Sequence, residues 1–254
     1  AMQAGKHVLV EKPIALKLKD ADRMVRVSEE TGKMLMVAHV LPFFPEFAYV
    51  KEVVDSGQFG QVKAAHFKRI ISSPNWSTSL TNMAKSGGPG VDLHIHDTHF
   101  ILTLFGKPDR VRSDGRLVDE QYAEYLSTSY YYADKPDMCI TCASGAISQK
   151  GRAFTHGFEV YLDDATVVFE FSTLAGKPAL TMPLTVLTND GKAKNPKLGA
   201  GDPVVAFTRE IQAAVHSVQS GQVNTALSGG NGADALRLCF KEVASVQSGR
   251  VVRV

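Results

Sequence analysis

The chain has 254 residues, 44% hydrophobic and 21% charged, with a net charge of +2. These are the proportions of an ordinary globular protein of one or two domains. Neither charge sign forms a long block, no basic run is interleaved with aromatics, and no apolar stretch approaches the roughly 20 residues that span a bilayer, so nucleic-acid and membrane partners are not expected.

The opening, AMQAGKHVLVEKP, lacks the charged n-region and cleavage site of a signal peptide and reads instead as the tail of a helix, a turn and a strand. Lys6 to Val10 is an apolar, β-branched run suited to a buried parallel strand, ending at Glu11-Lys12-Pro13. Leu18 to Gly32 has helical spacing with glycine at the C-cap position, and Met34 to Val40 is a second apolar strand. Together they form a βαβ unit with parallel strands. Pro42 and Pro45 bracket an aromatic turn that marks a domain joint. The chain therefore divides into residues 1–41, a βαβ unit, and 42–254, an α+β domain.

Phe47 to Ser56 predicts a short helix and Val62 to Ile71 a strand. Residues 72–90 form a polar, glycine-rich loop holding the single tryptophan, Trp76; loops of this length are often functional. A helix is predicted from about Gly90 to Phe105, closed by Gly106 and Pro108. Six strand-like segments follow (110–117, 124–132, 138–143, 154–162, 166–171, 182–188), separated by turns in the pattern of an antiparallel meander. Two amphipathic helices (203–218, 232–248) and a short strand (251–254) end the chain. The expected fold class is α+β: a large, mostly antiparallel open sheet flanked by helices, preceded by a βαβ unit.

Cys139, Cys142 and Cys239 are too few, and odd in number, for a disulfide scaffold, so a reducing cytoplasm is the expected compartment. Cys139 and Cys142 lie three apart on a predicted strand and would face opposite sides of the sheet, which favours a structural role.

Ser86 to Gly106 holds His94, His96, His99, Asp92 and Asp97 within eight residues. On a strand, His94 and His96 would share a face and could hold zinc. The apolar run Phe100 to Phe105 favours a helix, where they point about 200° apart and cannot share an ion. On that helix Asp92, His96 and His99 share a face, so Asp92 and His96 become a pair suited to proton transfer. A polar helix face with satisfied histidines is the plainer alternative. Lys12, at the carboxyl end of a parallel strand, sits where open α/β sheets place ligands; by itself it reads equally as a solvated loop lysine.

In order, AGKHVLVEKP, MVAH-x-x-x-F-x-P, DSGQFGQV, Trp76 and GG-x-G-x-D-x-x-x-H resemble the Gfo/Idh/MocA oxidoreductases, a family that includes glucose-fructose oxidoreductase and inositol dehydrogenase. The closing SGGNGADALRLCFKEVASVQSGRVVRV extends the resemblance across nearly the whole chain. It implies that residues 1–41 are a remnant of a dinucleotide-binding Rossmann domain and residues 42–254 an α+β substrate and oligomerisation domain whose open sheet packs in homo-oligomers. It also implies hydride transfer between NAD or NADP and a hydroxyl of a sugar or cyclitol. Lys12 is implied to contact the reacting oxygen, His96 to take the hydroxyl proton and Asp92 to bind substrate. Trp76, His94 and His99 are implied on the substrate side, and Glu11, Lys12, Pro13 and His39 on the cofactor side, with no metal.

The chain departs from the family pattern in three ways. His94 replaces the family's glycine, adding bulk at the site, and Pro42 replaces an arginine. A first strand with its G-x-G-x-x-G loop, which brings backbone N–H groups to the pyrophosphate, is missing. The expectation is a truncated NAD(P)-dependent sugar or cyclitol oxidoreductase whose cofactor binding by this chain alone is poor. Behind it stand a non-redox sugar-binding or oligomerisation module and, last, a metal-dependent hydrolase.

Overall fold

In a computed structural model that describes residues 1–73, 83–198 and 203–254, the chain begins with the expected βαβ unit. Strand β1 (Val8–Glu11) runs parallel to β2 (Leu35–Ala38), with Val8 opposite Leu35 and Glu11 opposite Ala38. Helix α1 (Leu18–Thr31) connects them and stops at Gly32, whose φ of 62° is the left-handed conformation that glycine adopts without penalty. All four residues of β2 are buried. β1 departs from the expected buried strand: among the described residues its sheet partner is β2, and its residues alternate half-buried and exposed.

At the predicted joint, a 3-10 turn (Leu41–Phe43) leads into α2 (Pro45–Ser56). Strand β3 (Val62–Ser72) follows, then α3 (Met83–Ser86), α4 (Pro89–Asp92) and α5 (Ile95–Phe105). The single helix expected over 90–105 is thus broken at Leu93 and His94. The His94 N–H reaches back five residues to the Pro89 carbonyl at 3.0 Å, a widened turn that interrupts the i to i−4 ladder.

The remaining strands are β4 (Arg110–Val118), β5 (Tyr122–Tyr131), β6 (Cys139–Ser148), β7 (Arg152–Leu162), β8 (Ala165–Leu174), β9 (Lys177–Thr188), β10 (Ala193–Lys194) and β11 (Val252–Arg253). They and β3 form one nine-stranded sheet in the order β10-β9-β8-β7-β3-β6-β5-β4-β11. The predicted meander is therefore split. β4 to β6 and β7 to β9 are antiparallel runs, but β3 lies between β6 and β7, parallel to the former and antiparallel to the latter. Period-two alternation reveals a strand's faces and not its neighbours, so this insertion is a tertiary outcome. Cys139 is exposed and Cys142 buried, as opposite faces of β6 require.

Helix α6 (Val204–Ser220) precedes α7 (Gly229–Ser248), which joins the βαβ unit to the large sheet. Leu35 and Val37 of β2 share one core with Val91, Ile95, Ala233, Leu236 and Cys239. The close approach depends on glycine: a Cβ on Gly232 would fall 2.6 Å from Val37 Cγ2, and one on Gly229 would fall 2.8 Å from Leu35 Cγ. This packing brings the carboxyl end of β1 against α4 and α5.

Candidate active site

Lys12 leaves the end of β1 through a cis bond to Pro13 and reaches α4. Its Nζ donates to the Asp92 backbone carbonyl at 2.7 Å and to Asp92 Oδ1 at 2.8 Å. The Lys12 and Asp92 side chains are 20% and 17% exposed, so the pair lies at the surface of the core rather than inside it. An ammonium has three N–H donors, and this arrangement leaves one of them for another acceptor.

His96, one helical turn beyond Asp92, is half-buried beside this pair. Burial lowers its pKa well below the usual histidine value, and the positive charges of Lys12 and Arg69 lower it further. The imidazole is therefore neutral near pH 7 and able to accept a proton.

Arg69, which the motifs do not mark, meets Asp97 of the His/Asp cluster beside His96. Arg69 Nε donates to Asp97 Oδ2 at 2.7 Å and its Nη2 to Oδ1 at 3.2 Å, a two-pronged contact with Arg69 only 6% exposed and Asp97 fully enclosed. Nη1 lies 3.4 Å from His156 Nδ1, on the facing residue of β7. Burial, then Arg69, pushes the His156 pKa down, so its ring stays neutral against the guanidinium. A signal was present: on β3, Arg69 takes the inward phase of Ala65, Phe67 and Ile71, where a charge needs a buried partner.

The structure corrects the expectation for His94. Its ring turns away from Lys12 and His96 into the core, where Nδ1 lies 2.8 Å from Ser144 Oγ and Nε2 3.1 Å from Glu242 Oε2, with the Tyr130 hydroxyl at 3.4 Å. Two residues along a helical turn separate the two imidazoles by roughly half a revolution. His94 is fully buried and adds no bulk to the substrate side. His99 is also enclosed: it stacks on His39 with ring centroids 3.9 Å apart and planes within 4°. Burial lowers the His99 pKa to about 4, against an opposing backbone hydrogen bond at Ala226, and holds His39 well below its usual value. Both form a neutral wall behind His96 rather than an open contact surface.

Glu11 is exposed at the end of β1 and Pro13 is half-buried beside it. Trp76 lies outside the described residues. Among the described residues, no group of three or more His, Cys, Asp or Glu side chains is arranged to hold a metal ion.

Residues 47–176 match the GFO/IDH/MocA C-terminal domain, and residues 1–39 match the oxidoreductase family's NAD-binding Rossmann fold. The chain belongs to the Gfo/Idh/MocA oxidoreductase family. It is 46% identical over 122 residues to 1-carboxy-3-chloro-3,4-dihydroxycyclo hexa-1,5-diene dehydrogenase of Comamonas testosteroni, a match covering 47% of this chain and 28% of the relative. It is 34% identical over 121 residues to myo-inositol 2-dehydrogenase of Thermotoga maritima, covering 47% of this chain and 35% of that protein. These matches span about a third of the relatives' length. The match to 1,5-anhydro-D-fructose reductase of Ensifer adhaerens is 25% identical and covers 100% of this chain and 74% of the reductase. Among solved structures, aldose-aldose oxidoreductase from Caulobacter crescentus superimposes with a TM-score of 0.81 at 18% identity, over 100% of this chain and 74% of the other. Levoglucosan dehydrogenase in complex with NADH and levoglucosan gives 0.79 at 17% identity, over 100% and 75%. At such identities the likeness is one of fold.

Proposed function

We propose that the protein oxidises or reduces a hydroxyl-bearing carbon of a sugar or cyclitol with NAD or NADP, with His96 as proton acceptor in the oxidative direction. The observation that carries this reading is the meeting of Lys12 and Asp92 beside a neutral His96. His96 takes the hydroxyl proton. The remaining Lys12 N–H donates to the same oxygen and stabilises the negative charge that develops there. Asp92, fixed through Oδ1, presents its other oxygen to a second hydroxyl and sets the orientation of the ring.

The cofactor's reactive end fits the residues present. Glu11, Lys12 and Pro13 follow the carboxyl end of a parallel strand, where open α/β sheets bind ligands. A bound nicotinamide would exchange the hydride with the carbon that carries the hydroxyl. Residues 1–41 supply this part of the cofactor side, and residues 42–254 the substrate side. Titration of the protein with NAD(H) and NADP(H) tests the cofactor side, saturable binding of either supporting it and binding of neither counting against it.

A homo-oligomer fits the exposed Tyr161, Leu174, Leu180, Met182 and Leu187 on β7 to β9, and size-exclusion chromatography tests it, a strict monomer counting against it. The three free cysteines suit a reducing, cytoplasmic setting.

The deciding experiment is a screen of aldoses and inositols with either nicotinamide, following absorbance of the reduced cofactor, in the native protein and in His96→Gln. Turnover that disappears in the variant supports the assignment, and equal turnover in both overturns it.

A further inference from the structure

Five elements place charged or titratable groups around His96: Lys12 from the end of β1, Asp92 from α4, Arg69 from β3, His156 from β7, and His99 from its own helix, with His39 stacked behind. Two of these are cations, and they are held differently. Lys12 is partly exposed and faces the substrate side. Arg69 is enclosed, fixed through two hydrogen bonds to Asp97, the residue that follows His96 on α5. Its guanidinium also stands 5.9 Å from the Phe154 ring centroid, so packing from β7 restricts it from another side.

A bidentate arginine–carboxylate contact is among the most directional that proteins form. Here it joins the strand at the centre of the large sheet to the first turn of the helix that carries His96. A buried ion pair adds little stability over a well-packed apolar pair, so its worth has to be sought in geometry and field.

We propose that Arg69 is a positioning residue for His96: clamped by Asp97, the next residue along the helix, it fixes the first turn of α5 to β3 and holds a buried guanidinium against the turn that carries the imidazole. This rests on the reading of His96 as proton acceptor. A lysine at position 69 would keep the charge and lose the two-pronged geometry.

The test is titration of the histidine Cε1–H resonances from pH 5 to 8.5 by carbon–proton correlation NMR, with His96 assigned through His96→Gln. In the native protein the His96 resonance is expected to stay flat down to pH 5.5. In Arg69→Met the titration is expected to enter the measured range, its midpoint moving up from below pH 5.5. Arg69→Lys restores the flat profile, but it leaves kcat reduced while KM changes little. Because Arg69→Met leaves Asp97 buried and unpaired and is liable to unfold, the double variant Arg69→Met with Asp97→Asn is measured alongside and is expected to move in the same direction.

A His96 midpoint unchanged in the double variant would overturn the proposal, as would failure of Arg69→Lys to restore the native profile. The titration needs neither substrate nor cofactor. A moved midpoint without dehydrogenase activity would support the positioning role while removing the proposed function; activity with an unmoved midpoint would do the reverse.

Discussion

Lys12 Nζ donates to both the backbone carbonyl and the carboxylate of Asp92, at 2.7 and 2.8 Å, across 80 residues of sequence. The two ends of this contact come from distant elements of the fold. Lys12 follows the two-stranded parallel unit, and Asp92 closes a short helix packed on β5 and α7. Its geometry makes Asp92 an anchor for the lysine, in addition to the substrate contact proposed for it.

Lys12→Met is therefore expected to lower kcat about 10²- to 10⁴-fold, since it removes the group that steadies the reacting oxygen. Asp92→Asn keeps the shape but weakens the hold on Lys12, so steady-state kinetics should show a raised KM together with a lower kcat. Equal losses confined to KM in both variants would mean that neither acts on the reacting centre.

Acid should destabilise the fold through its enclosed histidines. His39, His96, His99 and His156 all have pKa values pushed down by burial. Unfolded imidazoles take up protons below about 6.5, whereas folded His99 stays neutral down to about 4. Stability is then full above pH 6.5 and declines as pH falls toward 4, with His99 alone accounting for ~3 kcal/mol. Urea midpoints measured from pH 7.5 to 4.5 test this, and a flat profile would contradict it.

Glu210 on α6 should act in the opposite sense. It is 3% exposed with Oε1 unbonded, and burial, reinforced by the negative charge of Glu11, raises its pKa to about 7. Its contribution is complete below the unfolded value of 4.5 and is lost as pH rises through 7. Glu210→Gln is expected to stabilise the protein by about 1–3 kcal/mol at pH 8 and to have little effect at pH 5. Thermal melts at both values read the difference.

Restoring the family's glycine at position 94 should be harmful. His94→Gly removes the ring that engages Ser144 and Glu242, leaving a fully buried carboxylate with Thr98 Oγ1 at 3.2 Å but without the imidazole. A loss of about 3 kcal/mol is expected in denaturant unfolding. His94→Gly combined with Glu242→Leu should recover part of it.

Gly90 should tolerate no side chain, for a different reason. A Cβ there would lie 2.7 Å from Ala123 Cβ and 3.2 Å from the Ala123 carbonyl oxygen. Gly90→Val must push α4 off β5, costing about 1–3 kcal/mol and displacing Asp92. Both a lower melting temperature and a raised KM are expected; a normal KM would show that α4 yields without moving the carboxylate.

Taken alone, the sequence determined what depends on local periodicity and local chemistry. The βαβ unit, the strands of the large sheet, the C-terminal helices and the opposite directions of His94 and His96 all follow from spacing, because period 2 and period 3.6 are set by backbone geometry. Spacing alone put Asp92 and His96 on one face, and only the resemblance to the family singled out Lys12. Tertiary structure decided which groups surround them. β3 enters between β6 and β7 because of packing that no local pattern records, and that insertion delivers Arg69 to Asp97. The widened turn at His94 and the glycines of α7 set how closely β1 approaches α4. A charge on the inner face of a strand announces in the sequence that it needs a partner; only the folded chain shows that the partner is Asp97, next to His96.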